Sequence, residues 1–216
     1  MNACVRHDTF TRSLYCFLSL AKHERKTLQM IESERLYIRP ANDGDHAFLY
    51  HMHSDPVVMR FILGRTRTEA ESRDYLAELM RLYETHKMGQ FIVFEKKTRQ
   101  PLGRCGYSFF MGQEEDGLTS FYWGPDALSD NPDREVVVEL GYTFARESWG
   151  KGYASEAAKA MFPYGRDVLK KPTITSLINQ NNAASLKVAE RNGLTRGKAC
   201  RILGELSWVY SAPSGA

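Results

Sequence analysis

The chain has 216 residues, of which 43% are hydrophobic and 12% aromatic, so a single domain with a sizeable buried core is expected. Its formal net charge is +3, and the basic residues are scattered without an aromatic-interleaved basic strip, which argues against nucleic acid as the main ligand. No stretch reaches the ~18 apolar residues of a membrane span. We therefore expect neither nucleic acid nor a membrane as a partner.

The cysteines and histidines predict no metal site. Four cysteines lie far apart without a Cys-x-x-Cys pair: Cys4, Cys16, Cys105 and Cys200. Reduced thiols in a cytoplasmic protein explain them best. His51 and His53 are two positions apart, which places them on different faces of a helix.

The first 29 residues are predicted to be an N-terminal extension of a single domain that covers residues 30–216. Leu14 to Ala21 is an apolar run after two arginines, which faintly resembles a secretory signal, but it is barely long enough. Met30 would itself make a natural start. We expect an appended helix or a non-native upstream start in preference to a signal.

Three helices are predicted after a first strand at Arg35 to Arg39. Asp43 or Asp45 is expected to cap a helix that reaches about Met52. A short helix follows Asp55, with proline in its first turn. Residues 66–86 form a longer amphipathic helix, in which Thr68 and Glu71 are spaced as a capping box.

Two strands, Gln90 to Glu95 and Pro101 to Phe110, are predicted to pair around a turn at residues 97–100. Met111 to Arg134 is predicted to be a long loop rich in acidic and aromatic residues: Glu114, Glu115, Asp116, Asp126, Asp130, Asp133, Phe121, Tyr122 and Trp123. Such a flap could attract a cationic amine, and a solvated variable loop explains it equally well.

The stretch from Val136 to Arg166 predicts a strand, a glycine loop and a helix. Residues up to Phe144 alternate and are rich in β-branched and aromatic types. Apolar residues from Ala154 to Leu169 then recur at helical spacing. No Asp or Asn precedes this helix, and only Ser148 could cap it with a hydroxyl. Free helix amides beside glycines suit a phosphate or pyrophosphate.

Other interpretations of the loop can be tested on the sequence. A turn that needs glycine only for its backbone angles remains open. A P-loop requires Ser or Thr after Gly-Lys, but Gly152 follows Lys151. A dinucleotide fingerprint requires an acidic residue at the end of the next strand, and the strand near Thr173 to Ile178 instead ends in asparagines and a glutamine.

A short helix follows that strand, starting at Asn182 and stopping at Gly193. Four motifs thus occur in order: Glu139-Leu140-Gly141-Tyr142, Trp149-Gly150-Lys151-Gly152-Tyr153-Ala154-Ser155-Glu156-Ala157, Asn182-x-x-Ser185 and Arg191-Asn192-Gly193-Leu194. Together they resemble the GNAT acetyltransferase superfamily, in particular its RimJ/RimL-type branch of ribosomal-protein-alanine N-acetyltransferases. The similarity runs from about Ile31 to about Leu194. The first loop position, usually Gln or Arg, is Trp149.

This resemblance implies an α/β (α+β) GNAT fold, with a central mixed, mostly antiparallel sheet of six to seven strands flanked by helices and a glycine loop after the fourth strand. It implies an N-acetyltransferase that moves an acetyl group from acetyl-CoA to a primary amine by direct attack, with no metal. The implied cofactor-binding residues are Tyr142, Phe144, Gly150, Lys151, Gly152, Tyr153, Ala154 and Asn182. A non-catalytic sensor or scaffold that binds coenzyme A is the alternative.

Glu139 and Ser185 are the predicted catalytic residues. Glu139 is the only charged residue between Val136 and Phe144, so its carboxylate can be partly desolvated and suited to take the ammonium proton, directly or through water. A solvent-facing or ion-paired carboxylate is the competing interpretation. By the resemblance, Ser185 would protonate the departing thiolate, although a serine in a helix is unremarkable in itself. Helix capping alone would likewise explain Asn182.

The acceptor stays open at this level. A protein N-terminus, which the branch resemblance implies, competes with a small amine such as a polyamine, an amino acid or an antibiotic. A homodimer is possible, and an exposed strand end near Glu205 to Tyr210 is the surface we expect for it.

Overall fold

The computed structural model describes residues 30–124, 135–213 and 215. The predicted N-terminal extension at residues 1–29 therefore lies outside the described residues, together with Cys4 and Cys16. Within the described ranges, no helix is both long enough and apolar enough to cross a bilayer.

Five helices are found in the described part of the chain: α1 (His46–His53), α2 (Pro56–Met59), α3 (Glu69–His86), α4 (Tyr153–Pro163) and α5 (Ala183–Arg191). Nine strands accompany them: β1 (Ile31–Glu32), β2 (Leu36–Arg39), β3 (Gln90–Glu95), β4 (Pro101–Glu115), β5 (Leu118–Trp123), β6 (Glu135–Phe144), β7 (Thr173–Asn179), β8 (Thr195–Ile202) and β9 (Glu205–Pro213). The prediction of an α+β fold is confirmed.

The strands form one mixed sheet in the order β1-β2-β3-β4-β5-β8-β9-β7-β6, and β4 also pairs with β6. Only β5 with β8 and β6 with β7 run parallel among these pairs. The extra pairing closes six strands, β4 to β9, into a ring. The sheet is mostly antiparallel as predicted, but the glycine loop follows the sixth strand instead of the fourth, because β1 and β5 were not predicted.

Helix starts follow their local signals closely. Thr68 and Glu71 form the predicted capping box at α3, and Asp55 caps α2 by accepting from the amides of Val57 and Val58. Asp45 occupies the N-cap position of α1 as predicted but makes no side-chain cap hydrogen bond there. Its carboxylate instead completes a capping box with Asn42 at the 3-10 turn that leads into this helix. The helix after the glycine loop ends at Pro163 and continues as a π-helical turn to Val168.

The predicted long loop from Met111 to Arg134 is wrong in its first half. There β4 continues to Glu115, turns at Asp116 and Gly117, and returns as β5. Both turn residues have positive φ, 49° and 75°, as a tight hairpin turn requires. Their Asp-Gly sequence was the overlooked signal. Asp126, Asp130 and Asp133 lie outside the described residues, so the acidic flap stays a prediction there.

The predicted dimer surface near Glu205 to Tyr210 is also wrong. This segment belongs to β9, which pairs with β7 on one edge and with β8 on the other. Its backbone groups are therefore used inside the sheet and cannot pair with a second copy. A homodimer through some other surface stays a prediction.

A large hydrophobic core lies between the sheet and α4, and it includes Tyr107, Leu140 and Met161. The Tyr107 hydroxyl donates to the carbonyl oxygen of Met161 at 3.0 Å, which fixes α4 against the sheet. A smaller apolar cluster of Phe121, Leu177 and Cys200 joins β5, β7 and β8 of the strand ring. The two cores fix the strands that flank the candidate site.

Candidate active site

A groove opens where β6 and β7 diverge. The two strands share a single registered residue pair, Glu139 with Thr175, although β6 continues to Phe144 and β7 to Asn179. Beyond that pair, the edge of β6 that faces β7 has no strand partner in the described ranges. The groove has a volume of about 640 Å³ and is lined by residues of β6, the glycine loop, α2 and α5.

The glycine loop forms one end of this groove. Gly150 and Gly152 have φ angles of 75° and 80°, in the left-handed region that favours glycine. Helix α4 begins immediately afterwards at Tyr153, and its N-cap is Gly152, without a side-chain cap. Ser148 does not cap the helix but is buried in a preceding 3-10 turn. The first amides of α4 are thus available to an anionic group.

Side chains around the loop hold its backbone in place. The Arg35 guanidinium bonds the Glu156 carboxylate at 2.6 Å through Nε and donates to the Lys151 carbonyl at 3.0 Å. The Trp149 indole donates to the Phe144 carbonyl at 2.7 Å. The Lys151 ammonium donates to the Glu147 carbonyl at 2.8 Å, and Lys151 does not line the groove. Its predicted contact with a ligand stays a prediction.

Seven of the eight predicted cofactor-binding residues line the groove: Tyr142, Phe144, Gly150, Gly152, Tyr153, Ala154 and Asn182. The Tyr153 hydroxyl is engaged elsewhere, donating to the Glu95 carboxylate at 2.6 Å, so its backbone is the part left for a ligand. The structure brings these residues together from three elements that are separated in sequence.

Ser155 belongs to the second sequence motif but was not among the predicted cofactor-binding residues. Its Oγ is buried, has no hydrogen-bond partner within the described part of the chain, and belongs to a groove-lining residue in the first turn of α4. A buried hydroxyl without a partner costs free energy, and a ligand oxygen that bonded to Ser155 Oγ would recover it. The hydroxyl next to free helix amides was the available signal.

The opposite wall of the groove is the start of α5. Asn182 caps the helix, its side-chain oxygen accepting from the Ser185 amide at 3.2 Å. The Tyr142 hydroxyl donates to the Ser185 carbonyl at 3.1 Å, and burial raises the pKa of this phenol far above its usual value. Two hydroxyl groups, of Tyr142 and Ser185, thus meet at one wall.

Basic side chains at the groove were also missed. Arg60, Lys187 and Arg191 belong to its lining, from the turn after α2 and from α5. In the described part of the chain, none of the three is ion-paired with a carboxylate. The groove therefore combines cations and helix amides, which favours a ligand with several phosphates.

Glu139 lies at the base of the groove rather than in its lining. Burial raises the pKa of its carboxyl to about 8, opposed by a hydrogen bond from the Leu177 amide and by the charge of Arg104. A Cβ built on Gly141 would lie 2.8 Å from Oε2 of Glu139, so the carboxyl extends along the strand towards the divergence. No ion pair involves Glu139 among the described residues. Its environment fits the desolvated carboxylate that was predicted.

Metal ligands are not assembled in the described residues, because no cluster of three or more His, Cys, Asp or Glu side chains is present there.

A mixed sheet that splits beside a glycine loop, next to an uncapped helix start, defines an α+β protein whose groove suits a phosphate-bearing ligand. The family model described as an acetyltransferase (GNAT) domain matches residues 35–195. The chain therefore belongs to the GNAT family, and it is a GNAT-family N-acetyltransferase. The resemblance to the RimJ/RimL-type branch is confirmed.

Individual relatives agree with this assignment. The chain is 26% identical over 189 residues to an uncharacterized N-acetyltransferase p20 of Bacillus licheniformis, covering 85% of this chain and 94% of that protein. It resembles the crystal structure of a GNAT-family acetyltransferase from Bacillus anthracis, with a TM-score of 0.64, 23% identity and coverage of 87% and 100% of the two chains. RimL, a ribosomal L7/L12 alpha-N-protein acetyltransferase solved with coenzyme A, gives a TM-score of 0.64 at 14% identity, covering 86% and 98%.

Proposed function

We propose that this enzyme transfers an acetyl group from acetyl-CoA to a primary amine by direct attack. The observation that carries the proposal is the groove itself, where the unpaired edge of β6 leads to the uncapped start of α4. The glycine loop amides and the Ser155 hydroxyl suit the pyrophosphate of coenzyme A. Arg60, Lys187 and Arg191 suit its remaining negative charge.

The unpaired strand edge suits the amide-containing arm of the carrier. Beyond Glu139, the backbone of β6 offers hydrogen-bonding groups of the kind that a neighbouring strand would otherwise use. Asn182 and Tyr142 face the same groove from its walls. The thioester would lie along β6, where a backbone amide is available to polarise its carbonyl oxygen.

Glu139 is assigned as the general base. An amine attacks only after its ammonium group loses a proton, and a carboxylate with a pKa near 8 is a far better proton acceptor than an ordinary one. The base and the amine exchange the proton directly or through water. After attack, the carbon–sulfur bond breaks, and Ser185 or the adjoining phenol of Tyr142 supplies a proton to the thiolate.

The acceptor is a protein N-terminus or a small-molecule amine. RimL shares this fold and is described as acting on ribosomal L7/L12. A small amine is the second candidate acceptor for the same fold.

The test is a thermal shift with acetyl-CoA, followed by free-thiol release as amines and an N-terminal peptide are added. Acetyl-CoA at ~100 times its dissociation constant should stabilise the fold by about 2.7 kcal/mol. Absence of any shift would refute the assigned groove. Binding of acetyl-CoA without thiol release from any amine would favour the non-catalytic module. In such a module neither Glu139→Gln nor Ser185→Ala would change ligand binding, and there would be no turnover for either variant to reduce.

A further inference from the structure

Two arginines outside the groove lie on one aromatic ring, and neither has an acidic partner among the described residues. The guanidinium carbons of Arg67 and Arg104 are 4.9 Å and 5.3 Å from the ring centroid of Tyr75. Arg104 is only 7% exposed. The Nε atoms of both arginines are buried without a hydrogen-bond partner. Among the described residues, neither forms an ion pair, and Glu71, which influences Arg67, is already paired with Arg65 at 2.8 Å.

The groups around these arginines do not neutralise them. His53 is 1% exposed; its Nδ1 lies 2.8 Å from the Ser72 hydroxyl, and its Nε2 has no partner. Burial, and then the charges of Arg104 and Arg67, lower the pKa of His53 to about 3, so the imidazole is neutral. The Gln90 side-chain oxygen is likewise buried without a partner. Arg104 is buried and Arg67 is partly buried, and holding cations in such positions is costly unless an anion completes the site.

The arginine cluster lies on the same sheet face as Glu139. In the β4–β6 register, Arg104 is opposite Thr143, and Ser108 is opposite Glu139. Thr143 also lines the groove. Gln90 lies between the two ends, donating to the Gly106 carbonyl at 2.9 Å and to the Ser108 hydroxyl at 3.2 Å. At ~3.3 Å per residue, the four-residue separation is about 13 Å between backbone positions. The Glu139 carboxyl shortens it, because this group extends along β6 towards Gly141.

We propose that Arg67 and Arg104 form a carboxylate-binding subsite for the acceptor, so that the enzyme acetylates an amine that also carries a carboxylate. This inference rests on the proposed function. A guanidinium presents a planar pair of donors that matches a carboxylate. With its carboxylate at the arginines, such an acceptor would direct its amine towards Glu139. The same two cations repel a polyamine.

Two sources share this chemistry: a free amino acid, and a peptide whose first residue has an acidic side chain. Thiol release would be measured for free amino acids against their α-amides, alanine against alaninamide and glycine against glycinamide. Peptides beginning with Asp or with Asn form the second arm. We expect kcat/KM to be at least tenfold higher for the carboxylate member of a pair, and the arm in which this occurs identifies the source.

Variants tie the preference to the cluster. Arg104→Gln and Arg67→Gln should remove the carboxylate preference, raising KM for carboxylate acceptors about tenfold or more, while the acetyl-CoA thermal shift is kept. Arg196→Gln is the matched control, because Arg196 also lies over a ring, that of Trp208 at 4.7 Å, but on β8. It should keep the preference. Succinate, a carboxylate without an amine, should inhibit competitively against the acceptor, a readout that requires no variant.

Some results would overturn the inference. Equal or better turnover of the carboxamide acceptors would do so. An equal loss of kcat/KM for all acceptors in Arg104→Gln would also do so. So would the absence of thiol release from every carboxylate acceptor in both arms. If acetyl-CoA gives no thermal shift, the proposed function itself fails. These outcomes are therefore distinguishable.

Discussion

Replacing Glu139 by Gln should make the protein more stable and less active at neutral pH. The unfolded carboxyl ionises near its ordinary value of 4.5, whereas the folded one has a pKa of about 8. Between pH 4.5 and about pH 8, the folded state binds one more proton at Glu139 than the unfolded state does. The contribution of Glu139 to the free energy of unfolding is therefore fully present below pH 4.5 and is lost as the pH rises through about 8. Near pH 7 the buried carboxyl should therefore cost about 3 kcal/mol, which Gln avoids.

Urea unfolding at several pH values measures this effect. Between about pH 5 and about pH 7, the stability difference between Glu139→Gln and the parent chain should grow by roughly 2.5 kcal/mol, as a change of midpoint without a change of slope. Glu135→Gln is the control, because this carboxylate is on the same strand but is exposed and paired with Lys198 at 2.8 Å. The stability difference between Glu135→Gln and the parent chain should stay nearly constant between about pH 5 and about pH 7.

The activity of the same variant completes the experiment. Loss of a general base should lower kcat/KM on the order of 100-fold or more. The activity of the parent chain should rise with pH through an apparent pKa near 8, because only the ionised carboxylate accepts a proton. An unchanged pH profile of stability in Glu139→Gln would refute the desolvated state of the carboxyl. Unchanged turnover would refute its role as a base.

Three further predictions concern the groove. Gly150→Ala and Gly117→Ala each place a side chain at a φ of 75° with nothing within 4 Å, so each should lower the free energy of unfolding by about 1–2 kcal/mol. Only Gly150→Ala should also weaken acetyl-CoA binding in a titration. Ser155→Ala should raise the apo melting temperature or leave it unchanged while weakening acetyl-CoA about tenfold, since a hydrogen bond to a charged group contributes about 1.5–3 kcal/mol; tighter binding would contradict the assignment. Tyr142→Phe and Ser185→Ala should lower kcat with acetyl-CoA affinity kept, and the larger loss identifies the proton donor.

Local signals in the sequence were sufficient for half of the site. The glycine loop, the Asn182 cap and the Thr68 capping box depend on neighbours within a few residues, so a short stretch of sequence contains all of the physics involved. The enclosed position of Glu139 was also within reach, because a single carboxylate in an apolar strand has few ways to avoid burial.

Features that depend on strand register were not predictable in this way. Arg67 and Arg104 meet at Tyr75 only because the sheet and α3 pack together. The paired position of β9 likewise depends on two partners distant in sequence. Neither the alternation of a strand nor the composition of a loop specifies its neighbours, and several arrangements of the same strands would satisfy the same pattern.

The closed ring of strands has a mechanical consequence for the groove. Residues 119–121 of β5 pair with residues 200–202 of β8 and complete the circuit on the side away from the split. The ring of strands should therefore deform most easily where β6 and β7 diverge, and the remaining strand pairings resist any wider opening. A ligand arm lying along β6 would bridge that gap and stiffen the circuit as a whole, so that strands it never touches would also exchange their amide hydrogens more slowly.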